Sequence, residues 1–261
     1  MSVHLLGRKP RLFRQSVPHL SSTRLITPFT QPAIPAAENY FAKFPEDIGM
    51  MLNDQLGCCT IDGLYNFART VIFATTGKLL FIPDSCVLQA YEEACGYNPA
   101  DPSTDQGGIE QNVLAWAMNT GLPMPDGSRH KIGPYGEIDP RNLDDVKRVI
   151  AECGYCYIGI NCLNSWTQAP PGSILDWDDS GFAGGHCVGL GGYDEQSMFD
   201  VATWGSGRYR MTPYAFQRVT DEAYYIIDSS FVAATGKTPF GLSMSIWEQS
   251  MEAEQMLRRA A

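Results

Sequence analysis

No stretch of this sequence approaches the ~18 consecutive apolar residues of a membrane-spanning helix, so no membrane span is expected. Basic charge is also scarce. Nineteen Lys and Arg face twenty-nine Asp and Glu, a net charge of -10 with a pI near 4.8, which argues against the clustered cationic surface that nucleic-acid binding requires. The few basic residues near the start, Arg8, Lys9, Arg11 and Arg14, break up Met1 to Val17 together with Pro10 and Gln15. That segment lacks the uninterrupted apolar region of an export signal, and none is expected. Eight cysteines in 261 residues are too few for a disulfide scaffold, and without export most should be reduced. Cys153-Gly154-Tyr155-Cys156 has zinc or redox spacing, but it falls where a helix passes into a strand and no second ligand pair accompanies it. These read as small buried hydrophobes, and neither metal nor cofactor is expected. Internal repeats and low-complexity tracts are absent.

What is present is a sizeable core, since 44% of the residues are hydrophobic. Residues 1–48 are rich in Pro, Ser and Thr without helical period, and read as an extended arm lying on the body, too short for an inhibitory pro-domain. Residues 49–235 read as the main domain, with a helical half over about 49–140 and a β half over about 141–235. Ile61, Leu64, Phe67, Ala68, Val71 and Ile72 mark a buried helix starting at Thr60. Further helices are expected over Ser85 to Ala94, Ile109 to Asn119 and Asp144 to Glu152. Strands are expected over Tyr155 to Ile160, His186 to Tyr193, Met198 to Trp204 and Glu222 to Ile227. The segregation of helices and strands predicts an α+β fold with a cleft between a helical N-terminal half and an antiparallel β C-terminal half. Residues 236–261 read as a helical tail with an apolar stripe of Ile246, Trp247, Met251 and Leu257.

Two segments carry the chemistry: Asn53-Asp54-Gln55-Leu56-Gly57-Cys58-Cys59-Thr60 and, far downstream, Gly184-Gly185-His186-Cys187-Val188. A cysteine at a helix N-terminus sees the helix dipole and free backbone N–H groups, which favour thiolate over thiol. Cys59 is so placed, with Cys58 as its rival. His186 is the matching general base and acid, and Gln55 a donor to a developing oxyanion. A structural reading stands beside this one, because single cysteines and histidines are most often core residues. His4, His19 and His130 sit in segments rich in Pro, Ser or Gly without a comparable partner. Trp166, Trp177 and Trp204 either line the cleft or fill the β half.

The order of these parts resembles the papain-like cysteine peptidase superfamily over roughly residues 33 to 230. The resemblance rests on the run from Gln55 to Cys59, on Gly107-Gly108, on the Gly184 to Asp194 stretch with its Gly192-Tyr193 pair, and on Trp204-Gly205. Narrower similarity is to papain-like proteins of tailed phages and prophages, through the Asn-Asp-Gln-x-Gly-x-Cys-Thr, Gly-Gly-His and Thr-Trp-Gly segments and Asp221-Glu222-Ala223-Tyr224. The superfamily resemblance implies a thiol hydrolase, a cysteine peptidase or amidase acting on peptide or protein substrates through an acyl-enzyme on Cys59, whereas the phage resemblance implies a setting without settling an activity. Two departures bear on activity. The family places its glutamine six residues before the nucleophile, whereas Gln55 is four before. It also places an asparagine two residues before the tryptophan to orient the histidine, and that position is Ala202; Asp200 is the candidate substitute. The alternative is a catalytically weak or inactive structural protein, a phage virion component whose arm and C-terminal helix bind neighbours or a second copy. Host cytoplasm, the virion or both are the expected locations. An open cleft would favour the enzyme and a filled one the structural protein.

Overall fold

The computed structural model describes residues 4–12, 17–20 and 33–237, with Gln249 and Met256. The expected tail stripe from Ile246 to Leu257 lies outside the described residues. In chain order, the short strand β1 (Glu38–Asn39) precedes helices α1 (Cys59–Thr76), α2 (Asp84–Cys95) and α3 (Glu110–Asn119). A small hairpin, β2 (Leu122–Pro123) with β3 (Arg129–His130), then leads to β4 (Tyr135–Glu137) and α4 (Leu143–Cys153). The remainder is mostly sheet: β5 (Cys156–Leu163), β6 (Ile174–Leu175), β7 (Phe182–Tyr193), β8 (Phe199–Thr203), β9 (Ser206–Met211), α5 (Pro213–Val219), β10 (Thr220–Ile226) and a last helix α6 (Ser229–Thr235). The α+β expectation agrees with this architecture. Sequence periodicity did not disclose β9, α5 or α6.

The main sheet runs β4-β10-β5-β7-β8-β9-β6, with β1 also pairing with β7. All its pairings are antiparallel except β6 with β9. Side chains alternate across a strand, so the sheet divides two apolar cores. Cys156, Ile158, Val188 and Leu190 face one that takes in α4 and α5, while Tyr155, Tyr157 and Cys187 face the other, built on α1, α2 and α3. Cys153 and Cys156 are buried in the first of these cores, and all eight cysteines are free thiols.

Helix α1 is the axis of the helical half. Every residue from Cys59 to Val71 is buried, so its stability comes from packing rather than from exposed-helix propensity. It ends at Gly77, left-handed with φ 70°, whose N–H closes on the Phe73 carbonyl. Gly63 lets the helix lie against the sheet: a Cβ there would stand 2.8 Å from the Tyr157 ring and 2.9 Å from Cys187 Sγ. Two phenols fix the first turns, Tyr157 donating to the Thr60 carbonyl at 2.9 Å and Tyr155 to the Gly63 carbonyl at 2.7 Å. Gly63→Ala should therefore overpack this seam and lower stability by about 1–3 kcal/mol. Urea unfolding followed by circular dichroism would read this as a lower midpoint at unchanged slope; an unchanged midpoint would mean that the seam yields freely.

Candidate active site

Cys59 is the first residue of α1 and Cys58 precedes it as the cap. The two thiols differ in direction. Cys58 Sγ is turned inward to the Met51 carbonyl at 3.4 Å. The Cys59 sulfur lies near the backbone N–H of Cys187, next to His186 on β7, and that of Gly7 on the N-terminal arm, and both favour its thiolate.

His186 is wholly buried and its Nε2 lies 2.7 Å from Thr203 Oγ1. The Thr203 hydroxyl can accept from Nε2–H, which leaves Nδ1 as the base lone pair. Nδ1 is buried and has no hydrogen-bond partner, so the imidazole is not bonded to the Cys59 thiol. The indole of Trp204 stacks on the His186 ring at 4.6 Å between centroids. Its position follows from a two-residue turn between β8 and β9, where Trp204 and Gly205 both have positive φ, 45° and 76°. Such a left-handed pair matches the twist of a tight hairpin.

Asp200 is not the partner of His186. Its carboxylate takes the Asn39 side-chain amide at 2.9 Å and pairs with Arg210 at 3.3 Å. The β8–β9 register shifts between Val201 and Thr203, so a period-two count from Ala202 does not identify the residue that meets the ring. Gln55 is likewise set apart. It is exposed, on the wall of an open groove of about 790 Å³ with Met50, Phe81, Trp204 and Gly205. The buried amide of this loop is Asn53, six residues before Cys59, which donates to the Met50 carbonyl at 3.2 Å and to the Asp62 carboxylate. Successive left-handed residues, Met51 and Leu52 with φ 50° and 65°, turn Asn53 inward. Counting six back from Cys59 would have found it.

The cleft is filled by the chain's own arm. Leu5 N–H donates to the Asn53 carbonyl and Lys9 N–H to that of Gly108, both at 2.8 Å; Gly108 N–H returns a bond to the Gly7 carbonyl at 2.8 Å, and Arg8 N–H reaches the Gly185 carbonyl at 3.1 Å. Gly7 fits so closely that a Cβ on it would fall 1.7 Å from the Gly57 carbonyl oxygen. His4 stacks on Trp204 at 4.5 Å. The Arg8 guanidinium lies on Glu222 and Asp221, its side chain 2% exposed. The arm thus does what an inhibitory pro-segment would do sterically, contrary to the expectation drawn from its length: a few extended residues are enough when each edge of the cleft offers a backbone partner.

This seating sets the charge state. Burial pushes the Cys59 thiol up to about 12, with Glu110 and Asp62 opposing the thiolate further, while the Cys187 and Gly7 amides offset only part of the rise. Burial also takes His186 down to about 3, and the charges of His4 and Arg8 act in the same direction. Near pH 7 both groups are neutral.

Cysteine proteases are among the solved structures with this architecture. Xylellain, a cysteine protease from Xylella fastidiosa, superposes with a TM-score of 0.62 at 16% identity, over 87% of this chain and 97% of that one. Bromelain protease from Ananas comosus, solved with the E64 inhibitor, gives 0.56 at 13% identity over 74% and 99%. Digestive procathepsin L 3 of Tenebrio molitor larval midgut gives 0.57 at 13% over 77% and 73%. The fold is papain-like. No sequence-family model matches the chain, and no curated protein matches it in sequence.

In the intact protein, alkylation of Cys59 should be slow and should rise about tenfold per pH unit from pH 6 to 9 without a plateau, following the thiolate fraction of a group near 12. Gly7→Val cannot seat the arm, so labelling at pH 7 should rise at least about tenfold and inflect at a lower pH. Mass spectrometry of the labelled peptide reads both. Equal rates for the two proteins would remove the arm from control of the thiol.

Proposed function

We propose that this chain is a thiol hydrolase of peptide bonds held latent by its own N-terminal arm. The observation that carries the reading is the Gly7 amide on the Cys59 sulfur, flanked by backbone hydrogen bonds to Gly108 and Gly185. A cleft that seats extended polypeptide against a helix-start thiol has the form needed to seat a peptide substrate. With the arm withdrawn, water and substrate replace His4, Gly7 and Arg8, and the burial and positive charge that hold His186 neutral are relieved. His186 then takes the Cys59 proton, and the thiolate attacks the substrate carbonyl carbon. The C–N bond breaks as the imidazolium protonates the leaving amine, leaving a thioester on Cys59. Water, deprotonated by His186, hydrolyses that thioester and restores the thiol. The backbone N–H of Cys59 and the Asn53 side-chain amide are the candidate donors to the oxyanion. Thr203 supplies the orienting contact for which the sequence shows no asparagine.

The second reading is a non-catalytic interaction protein, and what favours it is the neutral, unbonded state of Cys59 and His186 in a filled cleft. Hydrolysis of a mixed fluorogenic peptide library by the full-length Gly7→Val protein separates the two. Turnover should appear there, fall to the blank in Gly7→Val/Cys59→Ala, and drop about tenfold or more in kcat with Thr203→Val, with a displaced acid limb in the pH profile and little change in KM. A folded Gly7→Val protein with rapidly alkylated Cys59 but no turnover would favour the interaction protein.

A further inference from the structure

Beside Gly7, the next arm residue enters a pocket whose construction goes beyond what a surface anchor needs. The Arg8 guanidinium has the floor of this pocket in Glu222, which is 1% exposed, and its mouth in Asp221, which is 39% exposed. The fork is satisfied on both prongs: Nη1 meets Glu222 Oε1, while Nη2 meets Asp221 at 2.9 Å and donates to the Ile160 carbonyl at 3.2 Å. The floor is itself held, by Tyr224 OH donating to Glu222 Oε2 at 2.7 Å. A third carboxyl, Glu110, is 0% exposed and faces the Cys187 thiol, with the Arg8 charge acting on it across the pocket. Space for the arginine exists because position 159 is glycine. A Cβ on Gly159 would stand 2.7 Å from Glu222 Cγ, 2.8 Å from Glu110 Oε1 and 2.9 Å from Arg8 Cδ, so the three side chains converge on one point.

We propose that Glu110, Asp221 and Glu222 form the pocket by which this protein selects peptide substrates carrying an arginine within two residues of the reacting bond, with Arg8 as the resident stand-in. The inference rests on the hydrolase reading and adds a substrate class to it. Buried carboxyls without a cation are strongly unfavourable, so a pocket with this lining gains most from a ligand that returns a positive charge. Planar, two-pronged donation matches a guanidinium, whereas a lysine ammonium offers one compact charge and cannot meet Glu222, Asp221 and the Ile160 carbonyl in the same way. Burial is the largest influence on both Glu110 and Glu222 and raises both; Glu222 and Asp221 raise Glu110 further, and Asp221 raises Glu222 further. Against this the Tyr224 hydroxyl holds Glu222 down and the Arg8 guanidinium holds both down, so the guanidinium is the cation that favours the ionised pocket. The pocket lies one residue from the backbone unit on the Cys59 sulfur, the distance at which side-chain recognition can position a bond for attack.

The test uses full-length protein carrying Arg8→Ala, which vacates the pocket, together with Gly7→Val, which unseats the arm's backbone, and with Cys59→Ala added for equilibrium binding. Three acetylated tetrapeptide amides, identical except for one inner arginine, lysine or leucine, serve as probes by fluorescence anisotropy. The arginine peptide should bind at least tenfold more tightly than either of the others, and agmatine should compete with it. Adding Glu222→Gln should reduce that ratio to within about threefold. Equal affinities, or no binding of any of the three, would overturn the pocket assignment. If Gly7→Val/Arg8→Ala does not fold, agmatine binding to Gly7→Val, read by thermal shift with and without Glu222→Gln, decides the same question. Cleavage of the same peptides by Gly7→Val/Arg8→Ala with Cys59 intact is scored separately. Arginine-selective binding without cleavage would keep the pocket and sink the hydrolase; cleavage without selectivity would do the reverse.

Discussion

Everything in the cleft depends on how closely the buried helix can approach the sheet. Gly63 removes the side chain that would hold α1 off Tyr157 and Cys187, and the two tyrosine hydroxyls add a second hydrogen bond to carbonyls of the helix's first turns. Because the contact is made in the first turns of α1, it brings the Cys59 sulfur to the Cys187 amide. His186 is the residue before Cys187 on β7, so the strand that meets α1 also carries the imidazole. The β8–β9 turn then adds Thr203 and Trp204 to the ring. A rigid seam thus becomes a cluster of four side chains drawn from three elements.

The arm uses the same edges. Its backbone is tied to Asn53, Gly108 and Gly185, one from each wall of the cleft, and close approach at Gly7 is possible only because no side chain intervenes there. The energetic consequence is electrostatic as much as steric. Excluding water makes both the thiolate and the imidazolium unfavourable, and the Arg8 charge opposes the imidazolium further. The cation that neutralises the Glu222 pocket therefore also helps to hold His186 uncharged. Occupancy of one pocket and the charge state of the imidazole are coupled through that single residue.

Much of this architecture was legible in the sequence. Apolar spacing at three and four residues located α1 to α4, and β-branched, aromatic and alternating runs located β5, β7, β8 and β10, because helix and strand periods are imposed locally. Two short elements, β9 and α5, were not located. At the site, the helix-start cysteine and the strand histidine carried local signals, whereas their surroundings did not. Thr203 was overlooked because a register shift in β8 spoils counting along a strand, and Asn53 because Gln55 lies nearer the cysteine and looks more like an amide donor. Length alone gave a poor account of the arm, since what matters is the number of backbone partners it meets and not the number of residues it contains.

The sequence by itself determined the kinds of element, their order, and the presence of a thiol and an imidazole at the ends of two of them, since all of these follow from local composition. Only the tertiary structure decided that residues 4–12 lie across that thiol, that Glu110 and, more than one hundred positions later, Asp221 and Glu222 close on Arg8, and that Thr203 rather than Asp200 meets His186. The physical reason is that each of these depends on strand register and on close approach between distant segments, and no period or propensity in a single stretch of chain records either one.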